Sequence, residues 1–291
     1  MKVRIGGQAV VEGVMMRSDN YISTTVRDPS GTLKQRTRRF NSITERNKFL
    51  ALPFIRGFVM LFELMGLGFK EISWSAEQSG DDEPLSKREM FFTFALSIIL
   101  VLSIFKLLPW FLANFVAGSS SLIGVNVFDG VFKILIFVAY LFFISLMPDI
   151  KRLYEYHGAE HKVVACYESG LKLTAKNAQK FSKLHPRCGT TFVFVVFFIG
   201  ILVYLLIPLG AGFWGNYAFR ILLLPIIAGV AYELIRLEGK YYSKSGIVRA
   251  LIWPGIQFQR LTTREPDLSQ LEVAIASLNA CILSEKKVLK K

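Results

Sequence analysis

Four stretches of the chain run almost without charge for longer than an ordinary soluble helix. They cover roughly residues 90–115, 128–147, 191–208 and 217–234 and are rich in Phe, Leu, Ile and Val. A bilayer-spanning helix needs ~20 mostly apolar residues, with ~17 near the lower limit. Each stretch therefore predicts a transmembrane helix. Pro109, Pro148 and Pro208 fall at or near the ends of these runs, and Pro225 lies inside the fourth, where it predicts a kink. A fifth stretch, "FLALPFIRGFVMLFELMGLGF" from Phe49, is apolar but holds Arg56 and Glu63. It reads as an interfacial or re-entrant helix pair hinged near Pro53 and Gly57, with a true span as the alternative, one that would put the eleven basic residues up to Arg56 outside against the charge rule.

Elsewhere the period shortens. "YISTTVRDPSGTLKQRTRRF" alternates in the manner of two strands around the turn Asp28-Pro29-Ser30-Gly31. Before it, "IGGQAVVEGVMMR" places Gly6, Gly7 and Gly13 around an apolar strand and matches neither a dinucleotide fingerprint nor a P-loop. Near the end, Leu271, Ile275, Leu278 and Ile282 form one helical stripe that predicts packing on a cytoplasmic domain, with Ser269 and Glu272 spaced as a capping box. Trp253 and Phe258 in "LIWPGIQFQR" suit a membrane interface.

The expected fold is thus an α-helical polytopic membrane protein with four transmembrane helices, a small N-terminal β-containing cytoplasmic segment and cytoplasmic helices. The chain divides into a β-rich segment (1–48), an interfacial or re-entrant region (49–89), two spans (90–147), a cytoplasmic loop (148–190), two further spans (191–234) and a cytoplasmic tail (235–291).

Charge orients this arrangement. The 291 residues are 52% hydrophobic yet carry a formal net charge of +13, an excess that could serve nucleic acid, anionic lipid or topology. Its distribution decides. Residues 1–89 hold 14 Lys and Arg, 148–190 hold eight and 235–291 hold ten, whereas 116–127 and 209–216 hold none. This is a positive-inside pattern with both termini in the cytoplasm, and it accounts for the charge without nucleic acid. The remaining Lys106, Lys133 and Arg220 fall toward the outer ends of their spans, where snorkelling is cheap. The basic group "RTRRF" could take phosphate but reads first as a solvated face or one lying on anionic headgroups. No stretch near the start is apolar enough for a secretory signal. Three cysteines, Cys166, Cys188 and Cys281, give no disulfide framework and all fall on the reducing side.

The chemistry gathers in one place. All three histidines lie within 157–185. A helix from Ile150 to Ser169, stopped by Gly170, puts His157 and His161 one turn apart on one face, where two imidazoles can chelate one divalent ion. Glu160 borders that face, in the H-x-x-E-H order of the inverted zincins, where the glutamate is the general base. Glu168 follows two turns on, and the small Gly158 and Ala159 would admit another backbone. "KLHPRCGTT" adds His185 and Cys188 at the same membrane junction. Together these are ligands of a softness suited to Zn²⁺. Four protein ligands would close the shell as a structural staple; three would leave a water position for Glu160 to serve. Cys166 falls on the opposite helical face, among core positions. Glu12, between Val11 and Gly13, reads from spacing alone as a strand-edge charge.

"GGQAVVEGVMMR", "YHGAEHK", "HPRCGT" and "RLTTREPD" are the motifs in which the chain resembles the YqhQ-like bacterial membrane proteins, a family built on a domain of unknown function. The resemblance covers nearly the whole chain. It implies a metal-dependent enzyme of unassigned reaction and adds weight to Gln8, Glu12, His157, Glu160, His161, His185 and Cys188. The inverted zincins take a distant acidic third ligand; here His185 or Glu168 would have to serve, which tells against a peptidase.

The expectation is a hydrolase of the bacterial plasma membrane, embedded in the lipid bilayer and acting at its cytoplasmic face. A divalent metal, Zn²⁺ by donor chemistry, would sit on His157 and His161 with His185 or Cys188, and Glu160 would be the base. A membrane protein segment or a lipid headgroup would be the substrate. The alternative is a non-enzymatic scaffold or regulator whose metal only pins two loops together. Transport is disfavoured, because the spans hold few ionisable residues and these sit near their ends.

Overall fold

The computed structural model describes residues 3–80, 86–118, 122–207, 212–242 and 244–289. Pro208 and residues 119–121 and 209–211 of the two predicted outer connections lie outside them. A four-stranded antiparallel sheet comes first: β1 (Gly6–Val10), β2 (Gly13–Arg17), β3 (Tyr21–Arg27) and β4 (Leu33–Arg39), in that spatial order. Helices follow: the single turn α1 (Ile43–Arg46), α2 (Ile55–Gln78), α3 (Lys87–Leu102), α4 (Leu108–Ala117), α5 (Leu122–Ile144), α6 (Pro148–Ser169), the turn α7 (Ala175–Ala178), α8 (Gly189–Tyr204), α9 (Gly212–Leu222), α10 (Leu224–Tyr241), α11 (Gly246–Thr262) and α12 (Leu268–Leu289).

The turn at Asp28–Gly31 is where the sequence predicts it, with Gly31 at φ 87° and Asp28 Oδ1 accepting from Ser30 and Thr32. The glycine-rich stretch before it differs: it is two strands, not one. The chain reverses at Val11 and Glu12, so that Val10 pairs with Gly13. No Gly, Asn or Pro marks that tip. Glu12 itself takes a φ of 50°, and its carboxylate, far from being a bare edge charge, pairs with Arg152 and accepts from the Tyr156 hydroxyl at 3.3 Å. Those contacts offset a backbone state that L-residues rarely adopt.

The sheet is the middle of three layers, and strand alternation assigns its faces. Gly7, Val14 and Met16 point toward α6 and α12, where Tyr156, Ala159, Val163, Leu271 and Leu278 close a core. Gln8, Met15 and Thr24 point toward α2. The buried Glu71 of α2 accepts from Thr24 Oγ1 at 2.6 Å and pairs with Arg36 and Arg38. The basic run of β4 is therefore a clamp on α2 rather than an open phosphate site. α2 is one continuous helix that begins after Pro53. The expected hinge at Gly57 is absent because that glycine lies inside the helix, where the Tyr232 side chain packs so closely that a Cβ would come within 2.6 Å of the Tyr232 Cβ. The α12 stripe packs as expected, but its capping box is Asp267 with Gln270, bonded both ways at 2.8 and 3.0 Å, and not Ser269 with Glu272.

Among the described residues, three helical segments are long and apolar enough to cross a membrane: Phe91–Ala117, Gly124–Ile144 and Trp214–Leu237. The third predicted run forms a shorter apolar helix, Gly189–Tyr204, of 16 residues. That is about 24 Å at 1.5 Å per residue, against a hydrocarbon core of about 30 Å. Pro109 and Pro225 both leave marks. Ahead of Pro109 the helix widens into a π-helical turn, Ser103–Leu107, as expected where a proline ring crowds the carbonyl four residues back. At Pro225 the α9 and α10 segments part at Leu223.

Lys133 and Arg220 do not snorkel. They are 4% and 1% exposed and converge on Asp129 Oδ2, itself buried, while Asp129 Oδ1 has no hydrogen-bond partner among the described residues. Arg220 also bonds Asn216 at 2.9 Å and Asn126 at 2.5 Å, and Lys106, on the π-turn, donates to the Tyr204 hydroxyl at 2.7 Å. One carboxylate thus ties α9 to α5 through Arg220. Removing one partner of a buried ion cluster strands the other charges, at a cost on the order of 3–5 kcal/mol. Asp129→Asn is expected to lower the melting temperature of the detergent-solubilised protein markedly; an unchanged transition would show that the cluster contributes nothing.

Candidate metal centre

α6 begins at Pro148, whose missing N–H costs nothing in a first turn, and ends on Gly170 at φ 85°. Between them, residues 158–164 are all buried, polar ones included. A helix can bury such a face only if each polar group finds a partner. His157 Nδ1 lies 2.8 Å from the Thr262 carbonyl, and His161 Nδ1 lies 2.5 Å from the Lys183 carbonyl. A carbonyl can only accept, so each Nδ1 carries the hydrogen and each Nε2 is left with its lone pair, the tautomer in which imidazole ligates a metal. Burial holds His161 below the ordinary histidine value, against the raising influence of Cys188, and so keeps it neutral.

The rings of His157 and His161 stand 4.5 Å apart, centre to centre. Cys188 closes the group. It is the N-cap of α8, its Sγ receives the Thr190 N–H at 3.4 Å, and it sits 3.3 Å from His157 Nε2. One donor atom from each of His157, His161 and Cys188 lies within 4.8 Å of the others. Two nitrogens and one sulfur at that spacing, two of them oriented by backbone carbonyls, fit a divalent ion such as Zn²⁺.

The remaining sequence candidates distribute themselves around this centre. Glu160 is 6% exposed, with Oε2 3.4 Å from His161 Nε2, and burial raises its carboxyl above the usual range. It lines a cavity of about 110 Å³ together with His157, His161, His185 and Cys188. His185 is close, its ring 5.7 Å from that of His161, but its Nε2 turns to Glu168 at 3.5 Å. Glu168 pairs with Arg187 as well; burial pushes its carboxyl up, but these two partners outweigh it and hold it below its ordinary value. Gln8 lies on the opposite face of β1, against Gly68 of α2, and Glu12 is engaged with Arg152. Cys166 is in the core.

Sequence reasoning missed the groups that hold the ligands in place. The Thr262 carbonyl belongs to "RLTTREPD", a motif without an apparent donor. Gln259 clamps both backbone atoms of His185, at 2.9 and 2.7 Å. Gly158, already read from the sequence as small enough to admit another backbone, takes in the Arg264 carbonyl, and a Cβ there would overlap it. Gly7 has no room either, since a Cβ would lie 2.8 Å from Glu160 Cγ. The signal for these two was the glycines themselves.

A fold of long apolar helices capped by a sheet-and-helix layer, with a metal-competent trio at their junction, defines the class of the protein. The chain belongs to the family described as "Protein of unknown function (DUF1385)", whose model matches residues 52–284. It is 36% identical over 298 residues to "Uncharacterized protein YqhQ" of Bacillus subtilis (strain 168), a match covering 96% of this chain and 92% of that protein. No solved structure matches the chain.

His157→Ala and His161→Ala are each expected to remove most bound metal from the purified protein, since losing one ring breaks the trio. Elemental analysis at native stoichiometry in both variants would rule the centre out as drawn.

Proposed function

We propose that the protein is a metal-dependent hydrolase of the bacterial plasma membrane, with its centre at the cytoplasmic face. The observation that carries this reading is the buried Glu160 carboxylate, which shares one small cavity with three converging metal donors. A purely structural staple has no use for a desolvated carboxylate at that point. A cavity of about 110 Å³ also has room for water, whose share of liquid volume is about 30 Å³.

A bound divalent ion would supply Lewis-acid polarisation in this cavity. His157, His161 and Cys188 would hold it. Glu160 accepts the proton of the attacking water as its oxygen bonds to the substrate, then returns that proton to the leaving group as the scissile bond breaks. His185, fixed by Gln259 and Glu168, forms the polar wall. Three protein donors leave a coordination position open, in keeping with a catalytic rather than a closed site.

The membrane placement is supported by the three long apolar helices and by the basic residues gathered in 1–89, 148–190 and 235–291. In this reading α8 completes a set of four spans, and both termini are cytoplasmic. Cysteine introduced at Ser120 should react with an impermeant maleimide from outside the cell, and cysteine at Ser30 should not. Labelling of Ser30→Cys from outside would reverse the topology.

Glu160→Gln keeps shape and volume but cannot accept a proton. Metal content and folding are expected to stay near wild type, while complementation of a deletion strain falls as activity drops by about 10²–10⁴-fold. A 10–100-fold loss of metal affinity instead would make Glu160 a group that positions a histidine. A variant that keeps its metal and complements fully ends the enzyme reading.

A further inference from the structure

The small cavity at the metal centre opens into a larger groove of about 560 Å³, and the two share Gly6, Gly7, His157, Arg187, Cys188 and Gly189. The volume suits a ligand of several dozen atoms. Met60, Leu61 and Leu64 of α2 form one wall, and Phe192 of α8 with Ile235 of α10 form the other. Phe192 and Ile235 lie at the ends of apolar helices, so the groove begins where those helices meet the sheet layer. No carboxylate is among its lining residues.

One cation in the groove forms no ion pair among the described residues, although the carboxylates of Asp19, Glu63 and Glu45 act on it through space. Arg17, on the α2 face of β2, is partly buried and pairs with no carboxylate within 4.0 Å among the described residues. Its Nη1 reaches the Met60 sulfur at 3.8 Å, and its guanidinium lies 5.0 Å from the centre of the Phe40 ring. Glu63, a nearby acid, is committed to the Ser42 hydroxyl and the Ile43 N–H, each at 2.6 Å. Burial lowers the Arg17 value below that of a free guanidinium, outweighing the raising influence of Tyr232, Asp19, Glu63 and Glu45. Arg187, the other arginine of the groove, is paired with Glu168. A guanidinium left with a thioether and a π-face is a vacancy for an anion, and its planar fork matches phosphate oxygens.

We infer that the groove seats an anionic membrane phospholipid, with its phosphate on Arg17, its acyl chain along the apolar walls and its head region toward the metal centre. This deepens the hydrolase reading by naming the substrate class and rests on that reading for its catalytic meaning. An extended peptide fits less well. It carries an amide at every residue, each needing a hydrogen-bond partner, along walls that are mostly aliphatic and aromatic.

Native mass spectrometry of the full-length, metal-loaded protein in detergent tests the assignment, with dioleoyl-phosphatidylglycerol as the probe. One lipid should be retained per chain. Retention should weaken about tenfold or more in Arg17→Gln, the scale of losing one charge-assisted bidentate contact. Leu64→Trp, which narrows the groove without touching charge, should weaken it as well, and both variants should keep wild-type metal content. Dioleoylglycerol, which lacks the phosphate, should bind poorly, and millimolar inorganic phosphate, which lacks the chains, should not displace the lipid. Equal retention by wild type and both variants, equal binding of dioleoylglycerol, or displacement of the lipid by phosphate or by an apolar decapeptide would overturn the inference. The metal-poor His161→Ala variant separates this idea from the one beneath it. Arg17-dependent retention there, with full complementation by Glu160→Gln, would leave a lipid site and no enzyme. Loss of complementation in Glu160→Gln, with retention indifferent to Arg17, would leave the enzyme and remove the lipid.

Discussion

Two imidazoles one turn apart on α6, His161 buried and His157 half-buried, impose the central constraint on this protein. Neither can be left without a partner, because an unsatisfied buried polar group costs about 1–3 kcal/mol. The helix that carries them cannot supply partners from its own spent backbone. Carbonyls must therefore arrive from elsewhere, and they come from Lys183, just before α8, and from Thr262, the last residue of α11. Each bond does two things at once. It ties a distant segment to α6, and it fixes the tautomer that leaves Nε2 facing the shared point with Cys188.

The sheet follows from the same requirement. A buried Glu160 needs cover that brings no bulk, and β1 supplies it with Gly7 set against the side chain. β1 can lie there because the sheet is held from both sides. On one face Glu71 of α2 gathers Thr24, Arg36 and Arg38, and on the other α12 donates from Ser277 to the Ser23 carbonyl at 2.7 Å. The charged clamp to α2 also explains the position of the groove. It holds α2 alongside the sheet and leaves Arg17 on the rim between them.

The apolar helices carry a second buried polar system, the convergence of Lys133 and Arg220 on Asp129. It lies on different helices from the metal trio and shares no residue with it. Its energetics are those of any ion cluster away from water: costly to assemble, more costly to break. Its place here is to fix the register of α5 and α9, whose flanks are otherwise aliphatic and aromatic surfaces able to slide.

Much of this was legible in the chain. The apolar runs gave the long helices within a few residues, because length and the absence of charge are properties of single segments. The hairpin around Asp28–Gly31 and the stop of α6 at Gly170 were readable for the same reason, each depending on local backbone chemistry; the start of α6, expected at Ile150, falls two residues earlier at Pro148. Spacing alone placed His157, Glu160 and His161 on adjoining sides of one helix. Which further residues join them was a tertiary question. His185 and Cys188 are three apart, and the sequence offered both; the structure turns Cys188 to His157 because it caps α8, and His185 to Glu168 because Gln259 grips its backbone. Lys133 and Arg220 read as snorkelling charges, since a sequence shows how far a residue lies along a helix but not what faces it. The same limit hid Arg17, whose meaning lies in its forming no ion pair among the described residues although acids lie nearby. Local periodicity and backbone chemistry are written in the order of residues; the pairing of buried polar groups across distant segments is decided only when the segments pack.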